Sequence, residues 1–232
     1  MVSAHARGQR MTNDVEYGRY PVARLAVPEW MLKVERLGRV YGPYDDTVIA
    51  STGPEIGSSK SAVNGAVVAA WDVSFEVAAG EALGLVGESG SGKTTVLRCL
   101  AGDVAPSCGE ARLRTTEGDV SMFDLDSSAR RRLRIDTLAV VYQDPAEGLK
   151  MNISAGGNIA EPLTAAGWRN FGKIRDRASE LLTRTEVPIN RMDDLVRSFS
   201  GGMKQRVQIA KALAILRASC SSMNRHRSRC ER

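Results

Sequence analysis

Apolar and polar residues alternate from Met31 to Leu37 closely enough to predict a strand, which Arg39 to Tyr41 carries on towards a turn at Gly42-Pro43. After Trp71, the alternation of Val73, Phe75 and Val77 predicts a second strand. Ala82 to Val86 reads differently: it is a short apolar run that ends abruptly in glycines, the pattern of a buried strand feeding a loop. A helix is predicted over Thr94 to Leu100, a strand over Ala111 to Leu113, a helix over Ser128 to Arg134, and another buried strand over Leu138 to Tyr142. Strand and helix taking turns predict an α/β core. Further on, Ile174, Ala178, Leu181, Leu182 and Thr185 fall at i, i+4, i+7, i+8 and i+11, one face of an amphipathic helix. With Ile159 to Ala166 they predict a helical subdomain over about residues 145–205.

The body of the chain is therefore placed at residues 31–213. The first thirty residues lack any such periodicity and read either as a disordered extension or as the product of an upstream start, with Met31 the true first residue. Asp45 to Gly65 contains Gly53-Pro54 and Ser58-Ser59-Lys60-Ser61; it is too long and polar for an ordinary connection and reads as a flexible insertion. No internal repeat is visible.

Composition narrows the classes. The 232 residues, 43% of them hydrophobic, suit one ordinary domain with its own core. No apolar run approaches the roughly 18 residues that span a bilayer. Charges at Arg7, Arg10, Asp14, Glu16, Arg19, Arg24 and Glu29 interrupt the start, so a secretory leader is not expected and the chain is read as cytoplasmic. The net charge is +5, but the segment from Ile215 onward holds five arginines against Glu231 alone and so carries +4 of it. The remainder is close to neutral, which removes the electrostatic case for a nucleic-acid partner. Arg130 to Arg132 with Arg134 read as a solvated helix face. Cys99, Cys108, Cys220 and Cys230 form neither a CxxC pair nor a compact framework and read as ordinary thiols.

Candidate chemistry begins at Gly87-Glu88-Ser89-Gly90-Ser91-Gly92-Lys93-Thr94, which satisfies GxxxxGK[ST] between an apolar run and a helix. The glycines let successive backbone N–H groups turn inward around phosphate oxygens, and the helix beginning near Gly92 points its positive end at the same anion. Lys93 is expected to reach the β- and γ-phosphates of ATP, Thr94 to ligate Mg²⁺, and Thr95 to complete the phosphate contacts, with Ser89, Gly90 and Ser91 in the cradle.

About 110 residues later comes Ser198-Phe199-Ser200-Gly201-Gly202-Met203-Lys204-Gln205-Arg206, followed by a helical pattern. Taken alone, Ser200-Gly201-Gly202 reads equally well as a helix N-cap with permissive glycines. At this distance from the P-loop it resembles the signature motif of ABC ATPases, usually written LSGGQ, with Phe199 and Met203 replacing the commonest residues. The resemblance implies a P-loop nucleotide-binding core with a helical signature subdomain, working as a head-to-tail dimer with a second ABC subunit. Ser200, Gly201 and Gly202 would then face the γ-phosphate held by the partner's P-loop. It also implies that Gln143, between the Leu138–Tyr142 run and Asp144-Pro145, is the Q-loop glutamine contacting Mg²⁺, and that Tyr41 is the aromatic that stacks on adenine, with Tyr44 a near competitor.

Within that family, Gly148-Leu149, the run Ile153 to Ile159 and the run Val187 to Leu195 look like the ATP-binding subunit of the carbon-phosphorus lyase system of phosphonate breakdown. That resemblance implies docking on a soluble lyase core; a membrane would enter only through a permease, if the alternative resemblance, to oligopeptide-importer ATPases, held. After the signature helix the family continues to a Walker B strand with an aspartate for the Mg²⁺ shell and a glutamate that polarises water. Residues 214–232 instead hold no aspartate, a lone Glu231, and a His226 that does not match the family's switch histidine. The expectation is an incomplete cassette with a basic aberrant tail, from a shifted reading frame or a natural truncation, that binds nucleotide without turning it over. A non-catalytic interaction module or a gene fragment remains the alternative from another class.

Overall fold

The computed structural model describes residues 30–53 and 55–227, with side chains through Ala214. Expectations for the first residues, Cys220, His226, Cys230 and Glu231 lie outside the described side chains. The chain divides into two units, Met1–Leu125 and Asp126–Arg232.

In the first unit the order is β1 (Leu32–Tyr41), α1 (Asp46–Ala50), β2 (Val67–Val77), α2 (Lys93–Leu100), β3 (Cys108–Thr115) and β4 (Gly118–Ser121). The strands form one antiparallel sheet in the order β2-β1-β3-β4. Val34, Leu37 and Val40 are buried at intervals of three, where simple pleating would give two. Arg36, at φ +49°, and Asp72 across the ladder, at φ +53°, resolve the mismatch: the register slips between Val34 and Leu37, so the bulge re-aims the rest of β1 at the core. Val96 and Cys99 of α2 are buried in the same unit. The segment read as an insertion carries its own helix. The carboxylate of Asp45 accepts from Val48 N at 3.0 Å to start α1, and Val48 is buried against Val40 and Ala66.

Two strands expected from the sequence do not form. Residues 81–85 have no ladder, a single bridge residue stands at Val86, and that side chain is 74% exposed. Residues 138–142 likewise have no ladder. A continuous apolar run is stable as a strand only between two strands that pair with it, and the described antiparallel sheet offers those runs no such slot. Tyr142 instead meets a side chain. With its amide oriented to satisfy both groups, Gln208 donates to Tyr142 O and accepts from Tyr142 N, each at 2.9 Å.

The second unit runs α3 (Ser127–Asp136), α4 (Pro145–Gly148), α5 (Ala155–Ala165), α6 (Phe171–Arg184), two 3₁₀ turns at Ile189–Arg191 and Val196–Ser198, and α7 (Gly201–Arg227). Its helices begin where a short polar side chain caps them: Asp126, Asp144, Ser154 and Asn170 each accept from a backbone N–H of the first turn. The amphipathic face expected on α6 buries Ile174, Ala178, Leu181 and Leu182 against α5 and α7. α3 belongs to the same unit, which runs from Asp126, whereas the sequence reading began the helical subdomain at about residue 145.

Candidate nucleotide-binding site

The glycine loop leads directly into α2. Gly92, in the left-handed region at φ +94°, is the N-cap, and a Cβ there would lie 1.9 Å from Ala69 O of β2. No side chain fits at that approach, so glycine is required by space as well as by conformation. Lys93 Nζ donates to Gly87 O at 2.8 Å, Glu88 O at 2.6 Å and Ser91 Oγ at 3.0 Å, curling the loop around its ammonium. Ser89 and Gly90 are exposed, Gly90 with φ +82° and open space where a Cβ would be. Thr94 is exposed and Thr95 half-buried at the start of the helix. These features suit a phosphate with its Mg²⁺: a glycine-bearing turn, a helix N-terminus, one ammonium held in the loop and an exposed threonine.

The two candidate aromatics differ. Tyr41 closes β1 at 43% exposure, with the guanidinium of Arg39 4.5 Å from its ring centroid. Tyr44 is tied into the unit, since its hydroxyl donates to Ser107 O at 3.0 Å and its ring stands edge-on to Trp71. Arg39 was not singled out from the sequence; its only signal is a position two residues before Tyr41 on the same face of a strand.

In the second unit, Gln143 is exposed, immediately before the Asp144 cap of α4. Phe199 is buried, with Arg191 4.7 Å over its ring, and so anchors the signature loop. Ser200 caps α7, its Oγ accepting from Met203 N at 3.3 Å and its carbonyl from Lys204 N at 2.9 Å. Gly201 and Gly202 are exposed, with open space where a Cβ would stand, so the N–H end of a long helix is presented outward. The cap reading of Ser200 is therefore observed directly. Residues 150–155 fix its place: Val196 N donates to Ile153 O and Arg197 N to Met151 O. Asn158, fully buried, holds that loop in turn. Its Oδ1 accepts from Lys150 N at 2.8 Å, while Nδ2 donates to Lys150 O, Ile153 O and Ser154 O. Sequence reasoning met Asn158 as part of a resemblance and gave it no job.

Fold and site together define an ATP-binding cassette. The chain belongs to the ABC transporter family, whose sequence profile matches residues 71–217. It is 47% identical over 142 residues to the phosphonates utilization ATP-binding protein PhnK of Escherichia coli, covering 61% of this chain and 55% of that protein. It is 34% identical over 144 residues to a peptide import ATP-binding protein of Brucella ovis, covering 62% and 44%. The chain thus spans about half the length of these relatives. A dimeric ATP-binding cassette, MJ0796, solved with ADP and Pi, superposes with a TM-score of 0.62 at 25% identity over 79% of this chain and 69% of that one. Among the described residues no helix is long and apolar enough to cross a membrane.

Proposed function

We propose that this chain is the ATP-binding subunit of a phosphonate-utilising system. The higher identity to the phosphonate-utilisation protein than to the peptide importers carries that choice. The P-loop geometry supports the assignment of ATP: Gly87, Ser89, Gly90 and Gly92 would offer backbone N–H groups, Ser91 its hydroxyl, Lys93 the cation, Thr94 the hydroxyl for Mg²⁺ and Thr95 a further phosphate contact. Tyr41 would stack on the base, Gln143 would reach the metal's shell, and Ser200 with Gly201 and Gly202 would face a nucleotide on a second, head-to-tail subunit. ATP and Mg²⁺ supply the reactive phosphoanhydride and its charge neutralisation; this chain's residues bind and orient them.

The Lys93 ammonium is satisfied by two carbonyls and a hydroxyl of its own loop. A phosphate entering the cradle would exchange those neutral acceptors for charged ones, a stronger bond in each case.

Titration calorimetry with Mg·ATP tests the binding. Binding lost in Lys93→Ala is the expected result, and equal affinity in both chains rejects the site. For the biological setting, a soluble carbon-phosphorus lyase core is expected to co-purify with the tagged chain; a membrane permease recovered in its place would favour the importer relatives.

A further inference from the structure

β2 is an edge strand of the sheet, and two separate segments dock on consecutive residues of it. Ser59 O accepts from Val68 N at 2.8 Å, and Lys60 bridges Val67 in antiparallel register. One residue further on, Ala69 O is the atom that Gly92 of the P-loop abuts. A strand advances about 3.3 Å per residue, so the segment read as an insertion and the phosphate loop are held within a few ångströms of each other along one backbone. The insertion is shaped for that place by a closed turn: Gly53 N donates to Ser58 O at 2.9 Å and Gly57 N to Gly53 O at 3.0 Å.

Between the two lies a pocket of about 440 Å³, walled on one side by Gly57, Ser58 and Ser59 and on the other by Glu88 to Ser91, with the Val68–Trp71 stretch of β2 as its floor. That volume falls in the range of small-ligand sites. The insertion side brings hydroxyls and backbone, and none of the lining residues is basic. Such walls offer a second anion no counter-charge and suit neutral hydroxyl and amide groups. Ser58 Oγ is committed, donating to Lys60 O and accepting from Lys60 N. Ser59, exposed on the same wall, keeps its hydroxyl for an incoming group.

Resting on phosphate binding at the P-loop, we infer that the turn carrying Gly57, Ser58 and Ser59 is a second wall of the nucleotide site and contacts the nucleoside, so that the segment acts as a ligand-recognition element. The wall discriminates a nucleotide from a bare polyphosphate, since only the nucleotide extends past the loop into the pocket.

The test compares Mg·ATP with inorganic tripolyphosphate by calorimetry on the full chain and on two variants. In Ser59→Trp the indole overfills the pocket; ATP affinity is expected to fall about tenfold or more while tripolyphosphate affinity stays as in the parent. In Ser59→Ala, which removes one hydroxyl without disturbing the exposed turn, the expected loss is about threefold for ATP alone. ATP affinity unchanged in both variants overturns the inference, as does an equal fall for ATP and tripolyphosphate, which would place the effect on the P-loop itself. In either case intact binding by the parent and its loss in Lys93→Ala would leave the nucleotide reading standing. A parent chain that binds neither ligand would overturn both.

Discussion

Single side chains settle the loops that present the signature motif. Asn158 satisfies four backbone groups of residues 150–154 from a fully buried position. Asn158→Ala leaves Lys150 N without its acceptor and takes the second donor from Lys150 O, Ile153 O and Ser154 O, which keep bonds from Ile153 N, Val196 N and the residue 158 N–H; a buried unsatisfied group costs about 1–3 kcal/mol when it does not relax. A loss of about 2 kcal/mol in urea unfolding is expected, and a loss below about 0.5 kcal/mol would show that water replaces the amide. Glu161 makes a smaller, pH-dependent contribution. Burial pushes its carboxyl up, but hydrogen bonds and charge from Lys150, at 2.7 Å, and Lys211, at 3.3 Å, outweigh it and hold the group below the usual carboxylate range. The folded form thus favours the carboxylate more than the unfolded chain does, so the stabilisation is full above the unfolded pKa and is lost as the pH falls through the folded one. The group is partly solvated, and Glu161→Gln should cost only about 0.5 kcal/mol at neutral pH. The difference from the parent should vanish in acid; a gap that persists at low pH would assign the effect to packing.

At the scale of elements, α7 shows how a functional motif is mounted. Phe199 fills the helical core, Ser200 closes the first turn, and Gly201 and Gly202 leave the helix end uncovered. Core and surface therefore change hands between adjacent residues. Phe199→Ala is expected to destabilise the unit by about 3–5 kcal/mol, the cost of emptying a buried aromatic site, whereas Phe199→Leu should cost less than about 1.5 kcal/mol. Circular dichroism during urea unfolding measures both. Similar losses in the two variants would mean the ring's contact with Arg191, not its volume, sets the anchor. The same element logic made α6 readable in advance, since its buried face depends on spacing alone. It failed for residues 82–86 and 138–142, because an apolar run becomes a buried strand only where tertiary partners pair with it and cover it.

Across the molecule, the described surface includes large apolar side chains at Val86, Leu97 and Val141. The run Ala82-Leu83-Gly84-Leu85-Val86 leads into the P-loop without a ladder over residues 81–85. Apolar, unladdered backbone is a template for self-association. The purified chain is expected to bind the dye ANS and to elute from size exclusion as a mixture above monomer mass. A sharp monomer peak with no dye fluorescence would contradict this, and would require those residues to be covered.

What the sequence determined by itself was the order of the motifs along the chain: the P-loop, the amphipathic face of α6, the Ser200-Gly201-Gly202 turn and the starts of α2, α3 and α7. Each depends on residues close together in the chain, through glycine conformation, capping groups or a 3.6-residue period. Tertiary structure alone decided which aromatic is tied by contacts of its own unit, since Tyr44 meets Ser107 and Trp71 whereas Tyr41 lies beside Arg39. It decided that Gln208 meets the backbone of Tyr142 and that Asn158 holds a loop. It also brought the turn carrying Gly57, Ser58 and Ser59 beside the phosphate loop, on consecutive residues of β2. These are hydrogen bonds and close approaches between residues far apart in the chain, and local periodicity carries no record of them.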